Sequence, residues 1–357
     1  MHFNFIDMKD ILIGKHIIGL SKPCFLIAEL SANHLHDFNL AVETIHKMKE
    51  AGADCVKLQT AKPDSITIDS NKSDFVIEGG TAWDGRTLYD LYKETNTPWE
   101  WHEPLKKIIE DLGMVFFSSP FDMKAVDFLE TLEVPAYKIA SFEITDIPLI
   151  KYAASKGKPM IMSTGIANIE DINDAIEACI SSGNNQIILL KCTSAYPTPF
   201  EEVHLNSIPT IRNQFNCHIG LSDHTLGNIV PLGAVALGAK IIEKHFILKR
   251  SLGGPDAAFS LEPDEFKQMV NQIRDLENAL GKSEIFVSKK VEKSRQFARS
   301  LYVVEDIKEG EVFTVKNIRS IRPGYGLKPK YLYEVIGKKA KIDVEKGTRL
   351  SWDLIIE

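Results

Sequence analysis

The segment Gly220-Leu221-Ser222-Asp223-His224-Thr225 has a near repeat in Glu243-Lys244-His245-Phe246. Each segment completes a short apolar run with ionisable residues, and the two histidines are 21 positions apart, about the length of one strand and one helix. If both runs are neighbouring parallel strands, their imidazoles emerge at the same edge of a sheet. A metal ion or an anionic substrate would bind at such an edge.

Eight such runs occur along the chain, and they are nearly continuous in apolar residues, as expected for parallel strands that are buried on both faces. The predicted strands are 25–30, 55–59, 115–118, 136–140, 160–163, 187–191, 218–221 and 240–244. Segments of helical periodicity separate them, and Asp37 and Asp264 are the predicted N-caps of two of these helices. This alternation predicts an α/β fold, a (β/α)8 TIM barrel. An open doubly wound sheet is the alternative, although no GxGxxG motif follows the first strand.

Every predicted strand ends in polar or charged residues, which is where barrel enzymes place their reacting groups. Four of these residues are lysines, namely Lys57, Lys138, Lys191 and Lys244. Because the chain has a net charge of −7, four cations at one rim indicate an anionic ligand such as a phosphate or a carboxylate. Pairing with nearby carboxylates is the alternative for Lys244 and Lys191. A Schiff-base lysine of the aldolase type is a further alternative.

The two histidines each lie near a carboxylate, Asp223 or Glu243. A single histidine at a strand end more often forms a hydrogen bond within the scaffold. For two histidines on adjacent strands, a divalent metal site and a scaffold role are equally well supported. Two neutral imidazoles with oxygen ligands suit Mn²⁺, Co²⁺, Fe²⁺ or Zn²⁺, and such a cation beside a carbonyl group would act as a Lewis acid.

Length and composition limit the classes of protein that remain. The chain has 357 residues, more than one compact domain usually holds. Its net charge of −7 and pI of about 5.9 argue against non-specific binding to nucleic acid. No apolar run is long enough for a membrane span, and the five cysteines are scattered without a CxxC pair. We therefore expect a cytoplasmic protein with reduced thiols.

A long insertion separates the second and third predicted strands, over residues 61–110. It contains Gly79-Gly80-Thr81-Ala82-Trp83-Asp84 and a second aromatic group around Trp99 and Trp101. A long aromatic loop on the active face of a barrel is more often functional than not. A surface loop that packs on its own tryptophans is the alternative, and both interpretations are compatible.

The C-terminal region differs in composition from the rest of the chain. We expect a barrel domain over residues 1–281, a charged linker over 282–298 and a small β-rich domain over 299–357. In the last of these, the pattern of Asp306–Thr314 recurs in Asp343–Ser351, 37 positions later. Two copies predict pseudo-symmetry within one small fold.

With these residues established, the chain resembles the sialic acid synthase family over nearly its whole length. Besides the two opening segments, the resemblance rests on residues 28–34 (AELSANH), 57–60 (KLQT), 118–121 (SSPF), 137–141 (YKIAS), 163–165 (STG), 192–198 (CTSAYPT), 254–256 (GPD), 299–302 (RSLY) and 322–324 (RPG). Within the family, the insertion is most similar to the branch that makes pseudaminic acid. Ser194 supports the same branch, because N-acetylneuraminate synthases tend to have Asn there.

The resemblance implies a condensation of phosphoenolpyruvate with an open-chain amino-sugar aldehyde, which gives a nine-carbon 2-keto acid and phosphate. In the pseudaminic branch the acceptor is 2,4-diacetamido-2,4,6-trideoxy-L-altrose; synthases of N-acetylneuraminate or legionaminate are the alternative. His224 and His245 would bind a divalent metal, usually Mn²⁺ and otherwise Mg²⁺ or Co²⁺. Glu29 would contact the acceptor and is the candidate for proton transfer. The implied phosphoenolpyruvate ligands are Lys57, Ser119, Lys138, Ser141, Ser163, Ser194 and Ser222, and the implied sugar ligands are Gln59, Tyr196, Asp256 and Arg322.

The C-terminal domain resembles the antifreeze-like, or SAF, domain, which has a β-clip fold. In the family this domain is exchanged across a homodimer, so the resemblance implies that Arg322 reaches the partner's barrel and binds the N-acyl group of the acceptor. No nucleic-acid or membrane partner is expected. A carbohydrate- or ice-binding protein that acts through this domain is the non-enzymatic alternative, which would leave the rim residues without a use.

Overall fold

The computed structural model describes residues 8–78 and 83–356. The Gly79–Ala82 part of the insertion therefore lies outside the described residues. The chain divides into two compact units, Met1–Gly281 and Lys282–Glu357, each with its own hydrophobic core. Within the described part of the chain, no helix is both long and apolar enough to cross a membrane.

The first unit is a closed barrel of eight parallel strands, which confirms the predicted (β/α)8 TIM barrel. A short antiparallel hairpin of β1 (Ile11–Ile13) and β2 (His16–Ile18) precedes it. The barrel strands are β3 (Phe25–Glu29), β4 (Cys55–Thr60), β5 (Val115–Pro120), β6 (Tyr137–Ile139), β7 (Met160–Ser163), β8 (Ile187–Cys192), β9 (His218–Asp223) and β10 (Ile241–His245). Each strand pairs with its neighbour in sequence, and β10 closes on β3.

Helices cover the outside of the barrel and occupy the insertion. They are α1 (Phe38–Glu50), α2 (Pro63–Ile66), α3 (Leu88–Thr95), α4 (Trp99–Asp111), α5 (Met123–Thr131), α6 (Ile147–Ala154), α7 (Ile169–Ser181), α8 (Ser207–Phe215), α9 (Ile229–Ala236) and α10 (Pro263–Leu280). Asp37 caps α1 as predicted, because its carboxylate accepts from the backbone N–H of Asn39 at 2.8 Å. The predicted cap at Asp264 is wrong. The helix begins at Pro263, which needs no hydrogen-bond acceptor at the first turn, and Glu262 is the N-cap.

The register of the barrel brings the charged strand ends together. His245 on β10 lies beside Glu29 on β3, and Glu29 lies beside Lys57 on β4. On the other side of β10, Glu243 lies beside Ser222 of β9. Because parallel strands end at the same edge, these neighbouring strand ends bring two carboxylates, a lysine and an imidazole to one rim.

The second unit is built from short elements around a core that includes Leu301, Phe313 and Leu350. Its helices are α11 (Lys289–Glu292) and α12 (Leu332–Val335), and its strands are β11 (Ser300–Val303), β12 (Ile318–Ile321), β13 (Lys339–Ala340) and β14 (Ile355–Ile356). The strands pair antiparallel as β11 with β12 and β13 with β14.

The two copies of the C-terminal sequence repeat pair with each other in space. Ile307 and Val344, which are equivalent positions, exchange backbone hydrogen bonds of 2.9 and 2.8 Å. Asp343 accepts from the backbone N–H of Glu309 at 2.8 Å, and Asp306 accepts from that of Lys346 at 2.7 Å. Each aspartate therefore fixes the turn of the other copy, which is the pseudo-symmetry that the repeat predicts.

Candidate active site

A cavity of about 420 Å³ opens at the carboxyl ends of the barrel strands. Most residues with a predicted role line it, and these are Lys57, Gln59, Lys138, Ser141, Ser163, Tyr196, Ser222, His224, His245 and Asp256. Glu29 and Ser119 are fully buried against Lys57, and Ser194 lies beside Ser141, with 2.6 Å between their hydroxyl oxygens. Arg322 lies in the second unit, where its side chain is exposed. The barrel thus brings together every predicted site residue that it contains.

The floor of the cavity is a network of two lysines and two carboxylates. The ammonium group of Lys57 contacts Glu29, donates to the Ser119 hydroxyl at 3.1 Å and lies 3.7 Å from Glu243. The Lys138 ammonium lies 3.5 Å from the same Glu243 carboxylate oxygen. All four ionisable side chains are buried, so each charge depends on the others for its stabilisation.

The two carboxylates of the floor differ in their affinity for a proton. Burial raises the pKa of Glu29, and the attraction of Lys57 only partly offsets it. Burial acts in the same direction on Glu243, but Lys138 and Lys57 together outweigh it and lower the pKa of that carboxyl. Two neighbouring carboxyls with opposite shifts suit separate roles, one as a proton carrier and the other as a fixed negative charge.

The sequence predicts four lysines around the cavity, but Lys191 and Lys244 are not among the residues that line it. Lys244 turns away and pairs with Asp223 at 2.5 Å, which confirms the structural alternative for that residue. Lys191 donates to the Cys192 carbonyl at 2.7 Å and to the Thr193 hydroxyl at 2.9 Å, rather than to a carboxylate. The reason is the alternation of side chains along a strand. On β10, Glu243 and His245 line the cavity, so Lys244 between them points outward.

The imidazoles of His224 and His245 lie side by side, with ring centroids 5.4 Å apart. His224 Nδ1 lies 3.2 Å from the Thr193 carbonyl, so this nitrogen carries the proton and Nε2 has a free lone pair. Burial holds the pKa of His224 down, at about 3, which keeps the ring neutral. His245 Nδ1 lies 3.5 Å from an Asp256 carboxylate oxygen.

This pair of histidines fits a divalent metal as two nitrogen ligands. Neutral rings with an available lone pair are what a metal requires, and Asp256 and Glu243 supply negative charge nearby. Across residues 8–78 and 83–356, no three His, Cys, Asp or Glu side chains converge as a complete ligand set. Water and substrate oxygens would therefore have to supply the remaining ligands, as in catalytic metal sites.

Aromatic and amide side chains surround the histidines. The Tyr196 ring lies 4.4 Å from the His224 ring and 5.3 Å from that of Phe259. Gln59 donates to Glu29 at 3.2 Å and to the Ser31 hydroxyl at 3.0 Å. These contacts fix the positions of Gln59 and Tyr196 in the lining of the cavity.

Glu143 is a site residue that the sequence pattern did not identify. It follows β6 in a single 3₁₀ turn and lines the cavity, with one carboxylate oxygen buried and without a hydrogen-bond partner. Burial raises its pKa to about 7, against the attraction of Lys138. The only sequence signal was its position two residues beyond Ser141, since nothing in the local pattern shows that this turn folds over the cavity.

The aromatic insertion packs on the barrel and also borders the site. Trp99 stacks on Phe128 at 4.6 Å and donates its indole N–H to the Ala61 carbonyl at 3.2 Å. The His102 Nε2 atom is hydrogen-bonded to the Thr60 hydroxyl, with 2.8 Å between the two atoms. The Trp83 ring lies 5.8 Å from that of Tyr196. The insertion is therefore both a packed loop and one wall of the cavity.

Comparison with known proteins agrees with this geometry. A family model described as NeuB family matches residues 44–285, and one described as SAF domain matches residues 298–356. The chain belongs to the NeuB family. Its predicted resemblance to the sialic acid synthases and its SAF domain are thereby confirmed.

Individual NeuB relatives match along nearly the whole chain. The chain is 47% identical to a pseudaminic acid synthase of Campylobacter jejuni, over 92% of this chain and 96% of the relative. It is also 47% identical to a pseudaminic acid synthase of Helicobacter pylori, over 93% and 98%. The crystal structure of an N-acetylneuraminic acid (sialic acid) synthetase from Leptospira borgpetersenii, in complex with citrate, superposes with a TM-score of 0.72 at 31% identity, over 80% of this chain and 95% of that one.

Proposed function

We propose that this protein is a pseudaminic acid synthase. It condenses phosphoenolpyruvate with 2,4-diacetamido-2,4,6-trideoxy-L-altrose and water to give a nine-carbon 2-keto sugar acid and phosphate. The observation that carries this proposal is the 47% identity to two pseudaminic acid synthases over more than nine-tenths of the chain. The charged floor of the cavity supports it, because its groups suit the two substrates.

Phosphoenolpyruvate binds at the lysine side of the floor. Lys57 and Lys138 are the cations that line the cavity most deeply, and both are buried, so their attraction for an anion is weakly screened by water. The nearby hydroxyls of Ser119, Ser141, Ser163, Ser194 and Ser222 supply hydrogen bonds to phosphate and carboxylate oxygens. This arrangement stabilises the negative charge as it moves onto the departing phosphate.

The acceptor aldehyde binds at the histidine side. His224 and His245 would hold the metal, which when bound would polarise the aldehyde oxygen and orient a water molecule. The π electrons of phosphoenolpyruvate form the new bond from its methylene carbon to the aldehyde carbon, and the aldehyde oxygen takes a proton. Water adds to carbon 2 of phosphoenolpyruvate and gives up its protons as the ketone forms, while phosphate departs with the ester oxygen. Glu29 is suited to deliver that proton, because its raised pKa keeps it protonated to a higher pH than an exposed carboxyl. Gln59, Tyr196 and Asp256 orient the sugar chain.

The metal, the active assembly, the domain bounds and the cellular compartment belong to the same proposal. We propose Mn²⁺ as the metal and a homodimer as the active form, with Arg322 as a ligand of the acceptor. The residues 1–281, 282–298 and 299–357 form the proposed barrel, linker and SAF segments, in a protein of the cytoplasm.

The test is a phosphate-release assay with Mn²⁺ and phosphoenolpyruvate, together with mass spectrometry of the product. We expect efficient phosphate release with the diacetamido-trideoxy-altrose acceptor. The mass of the product should exceed that of the acceptor by the mass of one pyruvic acid molecule. N-acetylmannosamine serves as the comparison acceptor. Equal turnover of both acceptors would contradict the pseudaminic branch and favour an N-acetylneuraminate or legionaminate synthase.

A further inference from the structure

One side of the cavity is apolar, in contrast to its charged floor. It consists of Ile66, Ile77, Trp83, Leu88 and Leu91, which we call the apolar wall. All five residues come from the insertion between β4 and β5, and all are at least partly buried. A wall of this kind contributes nothing to the binding of phosphoenolpyruvate, whose oxygens need the lysines and serines of the floor.

The apolar wall lies next to the acceptor side of the site. The Trp83 ring contacts the Tyr196 ring at 5.8 Å, and the Tyr196 ring contacts the His224 ring at 4.4 Å. A six-carbon aldehyde with its reacting carbon at the histidines must extend away from them. An extension past Tyr196 would bring its distal carbons to the wall.

The insertion also supplies polar groups to the cavity, from Lys62 and from the end of α3. Tyr92, Thr95 and Asn96, at the end of α3, also line the cavity. An amide group such as an acetamido substituent finds donors and acceptors there, while its methyl group can lie against Leu88 or Leu91. A free hydroxyl that faces Ile66, Ile77, Leu88 and Leu91 finds no partner among these four side chains, and burial of an unpaired hydroxyl is unfavourable.

We infer that the apolar wall selects an acceptor with a methyl group, rather than a hydroxymethyl group, at its distal carbon. The inference rests on the proposed function and extends it, because it assigns the discrimination to named side chains. In the proposed acceptor, carbon 6 is a methyl group and carbon 4 carries an acetamido group. Both groups present apolar surface where a common hexosamine presents hydroxyls.

The test compares two acceptors that differ by one oxygen atom. These are 2,4-diacetamido-2,4,6-trideoxy-L-altrose and the same sugar with a hydroxyl at carbon 6. Apolar pockets discriminate against an added hydroxyl by about 100-fold, so we expect kcat/KM to favour the 6-deoxy sugar by about that factor. Equal kcat/KM for the two sugars in the unaltered protein would overturn the inference without affecting the proposed function.

Two variants then test the assignment to the wall. Leu88→Asn and Ile77→Asn each offer a hydrogen-bond partner, and we expect the preference for the 6-deoxy sugar to fall below about tenfold. The KM of phosphoenolpyruvate should stay unchanged in both, since its proposed ligands are the lysines and serines of the floor. The matched control is Leu12→Asn on the exposed face of β1, which should keep the full preference.

The outcomes separate the two hypotheses. An unchanged preference in both wall variants, with melting temperatures near that of the unaltered protein, would show that other residues select the acceptor. Because Ile77 and Leu88 lie in different segments, one folded variant is enough for this comparison. Failure to turn over either altrose derivative would overturn the proposed function, and the inference with it.

Discussion

At the scale of single residues, the site depends on pairs of like groups that the fold places in different environments. Glu29 and Glu243 both contact Lys57, yet burial dominates at the first and the two lysines dominate at the second. His224 and His245 are both near carboxylates, but a backbone carbonyl fixes the proton of His224 on Nδ1. The two carboxyls thus differ in their affinity for a proton, which general acid–base chemistry requires.

The metal assignment predicts that His224→Ala and His245→Ala each lower metal-dependent phosphate release at least about 100-fold. Both variants should keep their far-UV circular dichroism and lose bound metal, which elemental analysis measures. His46→Ala on the exposed face of α1 is the control and should retain activity and metal. Full activity in either site variant would refute the assignment.

Glu143 predicts a pH-dependent effect on stability. Its pKa is raised to about 7 in the folded protein, whereas an unfolded chain has about 4.3. Between these values the folded state binds more protons, so this carboxyl makes stability fall as the pH rises. Glu143→Gln removes the effect. We expect the variant to match the unaltered protein at pH 4.5 and to exceed it at pH 8, by up to about 3 kcal/mol.

Urea denaturation at the two pH values measures this difference. Glu177→Gln, on the exposed surface of α7, is the control. It should change the free energy of unfolding by a similarly small amount at both pH values. A Glu143→Gln difference that does not change with pH would mean that this carboxyl is not stabilised in its neutral form.

At the scale of elements, the close approach of β9 to its two neighbours positions the histidines. A side chain at Gly220 would place its Cβ 2.6 Å from the Ile241 carbonyl oxygen on β10 and 2.5 Å from Leu190 on β8. The missing side chain lets the three strands pack closely, two residues before Ser222 lines the cavity. The glycine in the opening motif is therefore a packing requirement of the barrel.

Gly220→Ala should lower the free energy of unfolding by about 1–3 kcal/mol, since the backbone oxygen of Ile241 cannot move away as a side chain could. Thermal or urea denaturation measures it. Glu177→Ala, an exposed helical substitution, should change stability by less than about 0.5 kcal/mol. Equal effects of the two substitutions would show that β9 tolerates a wider spacing.

At the scale of the whole molecule, the predicted site residues are distributed over both units. The cavity is formed within the barrel, whereas Arg322 is exposed in the SAF unit. If Arg322 binds the acceptor as proposed, Arg322→Ala should raise the KM of the acceptor by about tenfold and leave that of phosphoenolpyruvate unchanged. Arg319→Ala, at an exposed position of β12 three residues earlier, is the control. Equal changes in both Michaelis constants would deny Arg322 a sugar-specific role.

Much of the barrel was predictable from the sequence, because parallel strands buried on both faces produce continuous apolar runs. All eight predicted runs overlap observed barrel strands, and the polar residues at their ends do surround the cavity. The ends of β5 and β9 were predicted two residues short, since Ser119, Pro120, Ser222 and Asp223 are polar residues that still belong to the strands. Helix caps were predictable only where no proline competed, as at Asp37.

By itself, the sequence determined the family, the barrel and the chemical types at its rim, since strand length and apolar content are local properties. Only the tertiary structure decided which of those side chains act together. The outward turn of Lys244, the pairing of Lys57 with two carboxylates and the burial of Glu143 all depend on residues distant in the chain. The His224–His245 pair of the opening motif needed both: the motif supplied two imidazoles, and barrel closure placed them 5.4 Å apart. Direction and burial of a side chain are set by neighbouring strands, and no local pattern contains them.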